Sequence, residues 1–210
     1  MSDGWIDDQL VARGIRDLRV LYAMRRVPRH EFVQQDAQRL AYADRALPIG
    51  DGQTISQPYM VAVMTEALRL QGHEHVLEVG TGSGYQAAIL SVLARDVVSI
   101  ERRLELADAA RERLTLLGYR NVRVIVGDGS VGYEESAPYE AILVAAAAPR
   151  VPEPLKHQLA DGGRLVIPVG PPDEQRLIII RRDGGRYDES VHEGCVFVPL
   201  VGAEGWPEAT

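Results

Sequence analysis

The ten residues Val76-Leu77-Glu78-Val79-Gly80-Thr81-Gly82-Ser83-Gly84-Tyr85 constrain this chain more than any other stretch. A short apolar run enters three glycines at alternate positions. That is how a strand turns tightly into a helix while leaving bare backbone against which a ligand can lie. A dinucleotide fingerprint would need its third glycine or alanine at position 85, where Tyr85 stands. A P-loop would need a lysine directly after the glycines, and none is there. The spacing is G-x-G-x-G, which excludes both phosphate-binding patterns.

The sequence around this turn alternates between strand and helix patterns. Strands are expected at 76–80, 97–101, 122–127, 139–145 and 163–169, with helices at 84–94 and 104–117, the second stopped by Gly118. Two further strands, 177–181 and 195–200, flank the turn Asp183-Gly184-Gly185 without a helical stretch between them, and so read as an antiparallel edge hairpin. This order predicts an α/β domain, a seven-stranded and mostly parallel sheet with helices on both faces. The first 70 residues read as a helical extension and 71–210 as the core, one compact domain overall. Within the extension, 47–58 reads as a loop. It ends at a helix for which Ser56 is the expected N-cap and Pro58 lies in the first turn.

Carboxylates fall at matching strand ends. Glu101 closes the second strand, 21 residues after Gly80, where a carboxylate accepts hydrogen bonds from both hydroxyls of a ribose. Gly127-Asp128-Gly129 closes the third, where an acid and a backbone N–H meet an adenine. With Glu78 beside the glycines, the three acids outline a nucleoside pocket that repels phosphates and suits a cationic ligand such as a sulfonium.

Composition narrows the partners. The net charge of −7 argues against a nucleic-acid partner bound through phosphates. One cysteine, Cys195, allows no internal disulfide and no thiolate cluster, and it is expected in the core. The five histidines lack ligand spacing and read as surface or capping residues; His73-Glu74-His75 lacks a third ligand, so no metal is expected. Neither a long apolar run nor a signal-peptide pattern is present, which points to the cytoplasm and to no membrane partner.

The glycine turn and its acids form the pattern of class I S-adenosylmethionine-dependent methyltransferases. Gly52-Gln53-Thr54-Ile55-Ser56-Gln57-Pro58 is more specific. Together with Gly127-Asp128-Gly129, 162–170 and Phe197-Val198-Pro199-Leu200, it resembles the protein-L-isoaspartate O-methyltransferase family, from about residue 7 to the end. The resemblance implies methyl transfer from S-adenosyl-L-methionine to the free α-carboxylate of L-isoaspartyl residues in damaged proteins and peptides. Repair would follow through a succinimide, with S-adenosyl-L-homocysteine as product and a monomeric enzyme. It implies Ser56 as the active-site serine, orienting the substrate carboxylate, with Thr54, Ile55, Gln57, Val198 and Leu200 at the substrate. The cofactor would lie against Glu78, Gly80, Thr81, Gly82, Ser83, Glu101, Arg102, Asp128 and Gly129. Two positions depart from the pattern. Ala145 stands where relatives often carry Thr or Gly, and Ser130 where many have Trp.

The residue chemistry is compatible with this reaction. A carboxylate with a reference pKa of about 3.3–3.9 is already ionised at neutral pH and needs no general base. No Asn-Pro-Pro-Tyr or Asp-Pro-Pro-Tyr motif follows the fourth strand, which disfavours base-amine methylation. The alternatives left open by the residues are a methyltransferase for another substrate and a catalytically silent cofactor-binding module.

Overall fold

The computed structural model of the chain describes residues 4–208. The N-terminal part is helical. A short α1 (Gly4–Ile6) runs into a π-helical stretch ending at Val11, and Gly14 breaks the pattern before α2 (Leu18–Arg26). Asp17 caps α2, its carboxylate accepting from the Arg19 and Val20 N–H groups. Residues 47–58 are more ordered than the expected loop. β1 (Leu47–Gly50) and β2 (Gln53–Ile55) form an antiparallel hairpin turning at Asp51 and Gly52. Its residues alternate too briefly to show strand periodicity. α3 (Pro58–Leu68) follows with Pro58 at its first position, so its N-cap is Gln57 and not Ser56. The Gln57 side chain makes no capping bond, and Ser56 lies one residue outside the helix.

The core alternates as expected: β3 (His75–Val79), α4 (Tyr85–Leu93), β4 (Asp96–Glu101), α5 (Leu104–Leu116), β5 (Val122–Val126), β6 (Tyr139–Val144), α6 (Glu153–His157), β7 (Leu159–Val169), β8 (Gln175–Asp183) and β9 (Arg186–Cys195). The sheet order is β5-β4-β3-β6-β7-β8-β9, with parallel pairs through β7 and antiparallel pairs at β7–β8 and β8–β9. The last strand spans Arg186–Cys195, before the expected 195–200; residues 197–200 instead lie beside the exit from β6, where Pro199 bridges Ala147 in parallel. β9 is almost wholly exposed and carries Asp188, Glu189 and Glu193. These charges suit a free sheet edge that must not pair with other chains.

Period-two alternation divides the core between the two faces of the sheet. Val76, Val97, Ala141, Leu143, Val166 and Leu177 pack with Ile6, Leu10, Phe32, Met64, Tyr85 and Ile89 from the helices on one side. Leu77, Val98, Ile100, Ile142, Val144, Leu165 and Ile178 pack with Tyr139, Leu155 and Leu200 on the other. Order reverses at β3, whose neighbours β4 and β6 lead on in opposite directions. This is the topological switch point at which an open α/β sheet forms its crevice.

Candidate active site

A cavity of about 330 Å³ opens at that crevice, above the carboxyl ends of β3 and β4. Gly80, Thr81, Gly82 and Ser83 form one wall. The turn is fixed from below: the Gly80 and Thr81 N–H groups donate to the Ile100 carbonyl at 2.8 and 3.3 Å. Gly84 ends it with φ +88° and caps α4, and a Cβ there would lie 3.3 Å from Leu114. A side chain at 84 would therefore be strained both in backbone and in packing.

Glu101 also lines the cavity and is 6% exposed. Its two carboxylate oxygens accept from Gly82 N–H at 2.9 Å and Arg103 N–H at 3.0 Å. Each oxygen keeps a second lone pair for a ligand hydroxyl. The carboxylate is thus held in position before anything binds, and it suits the two hydroxyls of a ribose. Arg102 stands beside it and pairs with Glu208 at 3.0 Å, both residues lining the cavity.

Glu78 is placed differently. It is fully buried behind the glycine turn, away from the cavity wall. One oxygen accepts from the Ser99 hydroxyl, which contacts Thr81 Oγ1 at 2.6 Å; the other, Oε1, has no partner. Burial pushes its pKa up to about 8, against the Ser99 hydrogen bond and aided by repulsion from Glu101.

Asp128 faces the C-terminal segment. Its carboxylate accepts from Ser130 N–H at 2.8 Å, Ser130 Oγ–H at 2.7 Å and Ala203 N–H at 2.7 Å. Burial raises its pKa, but these bonds outweigh burial and hold it below the usual range. Gly129 lines the cavity, and a Cβ there would lie 2.4 Å from Val79 Cγ1. Ser130, which stands where many relatives have a Trp, is buried and accepts from Glu204 N–H at 3.0 Å. The segment so held carries Trp206, whose indole N–H reaches the Ala147 carbonyl at 3.1 Å. Val201 and Glu208 of this segment reach the cavity wall, which the sequence reading missed. The signal was present in Gly202 and Gly205, whose close approaches admit no Cβ: one would meet Asp128 Oδ1 at 2.0 Å, the other the Leu200 carbonyl at 2.1 Å.

The other end of the cavity is built from the hairpin and the 197–200 segment. Thr54, Ile55, Ser56, Val198 and Leu200 line it, with Gln53, Tyr85, Gln86 and Phe197, which were not expected there. A second cavity of about 500 Å³ adjoins it, sharing Thr54, Ser56, Ala145, Phe197 and Val198 as common walls. Gln57 lines only this second one, with Arg13, Met60, Glu193 and Cys195. Ser56 therefore stands on the wall common to two adjoining spaces.

No histidine lines either cavity. His75, expected as a surface or capping residue, is packed on β3 against Tyr139, with ring centroids 4.8 Å apart, and contacts Asp96. Burial pushes the half-buried Cys195 thiol up to about 11, which removes it as a thiolate nucleophile near neutral pH. Among the described residues no group of three His, Cys, Asp or Glu is placed to hold a metal. No helix there is long and apolar enough to cross a membrane. Of the three acids expected around a nucleoside, only Glu101 lines the cavity; its carboxylate and the bare backbone of the glycine turn fit the hydroxyls and body of a nucleoside.

Comparison with known proteins decides the family. The profile of the family described as Protein-L-isoaspartate(D-aspartate) O-methyltransferase matches residues 5–205. The chain belongs to this family. A protein-L-isoaspartate O-methyltransferase of Methanoculleus marisnigri is 55% identical over 201 residues, 96% of this chain and 91% of that protein. A Pelobacter propionicus relative of the same name is 59% identical over 203 residues, 96% and 90% of the two chains. A solved protein-L-isoaspartate O-methyltransferase superposes with a TM-score of 0.87 at 28% identity, covering 97% of this chain and 67% of that one. A Plasmodium falciparum structure assigned the same activity, in complex with S-adenosyl-L-homocysteine, gives 0.82 at 26% identity, covering 95% and 97%. The Rossmann-like methyltransferase fold is therefore that of the protein-L-isoaspartate O-methyltransferases.

Proposed function

We infer that this protein methylates the free α-carboxylate of L-isoaspartyl residues in damaged proteins and peptides, with S-adenosyl-L-methionine as donor. The observation that carries the reading is the pair of adjoining cavities sharing Ser56: one of about 330 Å³ over the glycine turn, which takes the nucleoside in this reading, and one of about 500 Å³, which takes the peptide. The donor, when bound, supplies a methyl group on a sulfonium, a good leaving group. A carboxylate oxygen takes the methyl and the sulfur keeps the bonding electron pair, so charge balances without a proton transfer.

The protein's part is to hold, align and dry the reactants. In this reading Glu101 anchors the ribose hydroxyls, and the backbone at Gly80, Thr81, Gly82 and Ser83 carries the rest of the nucleoside and its tail. Gly129 supports the adenine, with Arg102 at the rim. Asp128 acts one step back by holding the C-terminal segment, and Glu78 by supporting the glycine turn through Ser99 and Thr81. Ser56 orients the substrate carboxylate, with Thr54, Ile55, Gln57, Val198 and Leu200 around the peptide. The methyl ester would then collapse to a succinimide without further help. We read the enzyme as a monomer of the cytoplasm, with no nucleic-acid or membrane partner; its charge of −7 supports the first exclusion. The test is transfer of labelled methyl to an isoaspartyl peptide, with its aspartyl isomer as control. Equal labelling of both peptides, or of neither, overturns the reading.

A further inference from the structure

Arg29 heads the largest side chains that the fold buries completely. Its Nε donates to the Ala41 carbonyl at 2.7 Å and its Nη2 to the Ser56 carbonyl at 2.7 Å. The guanidinium lies over the Tyr85 ring, 4.9 Å from its centroid, and Nη1 has no hydrogen-bond partner. Arg29 makes no ion pair among the described residues; Asp44, an acid near enough to influence it, is paired with Arg13 at 2.7 Å. A buried guanidinium without a carboxylate is a costly way to fill space, and an apolar side chain of similar volume would pack there at less expense.

The Ser56 carbonyl explains what the charge can do. The Ser56–Gln57 peptide is trans, so its C=O and N–H point in opposite directions. With the carbonyl turned inward onto Arg29, the Gln57 N–H points away from Arg29, and that N–H donates to no group among the described residues. Ser56 and Gln57 both line the second cavity. The inward turn also withdraws the carbonyl lone pairs from a place that must receive an anion. We propose that Arg29 is a positioning residue for the substrate carboxylate: it orients the Ser56–Gln57 peptide so that the Gln57 N–H and the Ser56 hydroxyl form one anion-binding pair, and its buried charge reinforces that pair from behind. Burial lowers the Arg29 pKa, but a guanidinium remains charged in proteins. This assignment rests on the isoaspartyl carboxylate being the methyl acceptor.

The test uses the whole enzyme and the variants Arg29→Met and Arg29→Lys, saturated with S-adenosyl-L-methionine for the kinetic and inhibition measurements and free of it for the binding measurement. Six quantities are read: KM and kcat for an isoaspartyl peptide, the Kd of S-adenosyl-L-homocysteine, melting temperature, and the inhibition constants of two non-reactive peptide analogues. One analogue carries a carboxylate at the acceptor position and the other a carboxamide. In Arg29→Met the peptide KM should rise about tenfold or more while the Kd of the homocysteine product stays within about twofold. The preference for the carboxylate analogue over the carboxamide should fall with it. Arg29→Lys keeps the charge and loses the planar fork, so it should recover part of that preference. A folded variant with unchanged peptide KM and unchanged preference overturns the proposal, whatever its melting temperature, and Arg29→Lys gives this reading should Arg29→Met not fold. A wild-type enzyme that labels no isoaspartyl peptide overturns instead the substrate reading on which the proposal stands.

Discussion

Ser56 and Glu101 are the residues through which the two adjoining cavities are most directly tested. Ser56 does not cap α3, since Gln57 holds that position, so substitution at 56 reports on the site without a capping penalty. Ser56→Asp places a second negative charge about 3–4 Å from the substrate carboxylate, a repulsion of several kcal/mol where the dielectric is reduced. Turnover should collapse while S-adenosyl-L-homocysteine affinity and melting temperature stay near those of the wild type. Ser56→Ala removes one hydroxyl donor and should lose about tenfold in turnover, the scale of one hydrogen bond to a charged group. An active Ser56→Asp enzyme would remove Ser56 from the substrate side. Glu101→Ala removes the carboxylate proposed to hold the ribose and leaves the Gly82 and Arg103 N–H groups without their acceptor. Cofactor affinity should drop by about 1.5–3 kcal/mol, tenfold or more. Saturating cofactor should then restore most of the rate; a rate that stays low at saturation would contradict the ribose role.

At the scale of elements, the parallel strands and the glycine turn were legible because each carries a period or a turn that no other element shares. β3, β4, β5 and β6 fall within a residue or two of their expected bounds. Four features were not legible, each for a physical reason. The β1–β2 hairpin is stabilised by pairing and by its place over the cavity, and Leu47, Ile49 and Ile55 are too few to reveal an alternation. Ser56 has the composition of a cap, but Pro58 at the first helical position moves the cap to Gln57. β9 lacks an apolar face, so the apolar 195–200 stretch looked more strand-like than the polar residues that form the strand. The C-terminal segment escaped notice because its order comes from contacts far along the chain, Asp128 with Ala203 and Ser130 with Glu204. Gly205→Ala would drive a methyl group to 2.1 Å from the Leu200 carbonyl and displace that segment. S-adenosyl-L-homocysteine should bind more weakly, with a faster dissociation rate, while peptide KM at saturating cofactor changes little. Unchanged binding would mean that the segment closes the cavity without contributing to cofactor retention.

The whole molecule feels the cofactor site through Glu78, a buried acid under the glycine turn. Its native pKa of about 8 stands above the ordinary 4.5, so between these values the folded chain holds a proton that the unfolded chain releases. The sign follows directly: Glu78's contribution to stability is fully present below pH 4.5 and is lost as pH rises through about 8. For a fully buried group this loss is on the order of a few kcal/mol, enough to show in a melting curve. Glu78→Gln keeps an oxygen to accept from the Ser99 hydroxyl and removes the proton from the balance. Melting temperatures of the cofactor-free wild type and variant should therefore lie closest near pH 4.5 and diverge towards pH 8, the variant becoming the more stable. Groups elsewhere, such as Asp128 with its lowered pKa, titrate in both proteins and cancel in the difference. A difference independent of pH across that range would show that Glu78 ionises normally beneath the turn. The partnerless Oε1 would then be satisfied by something other than a proton.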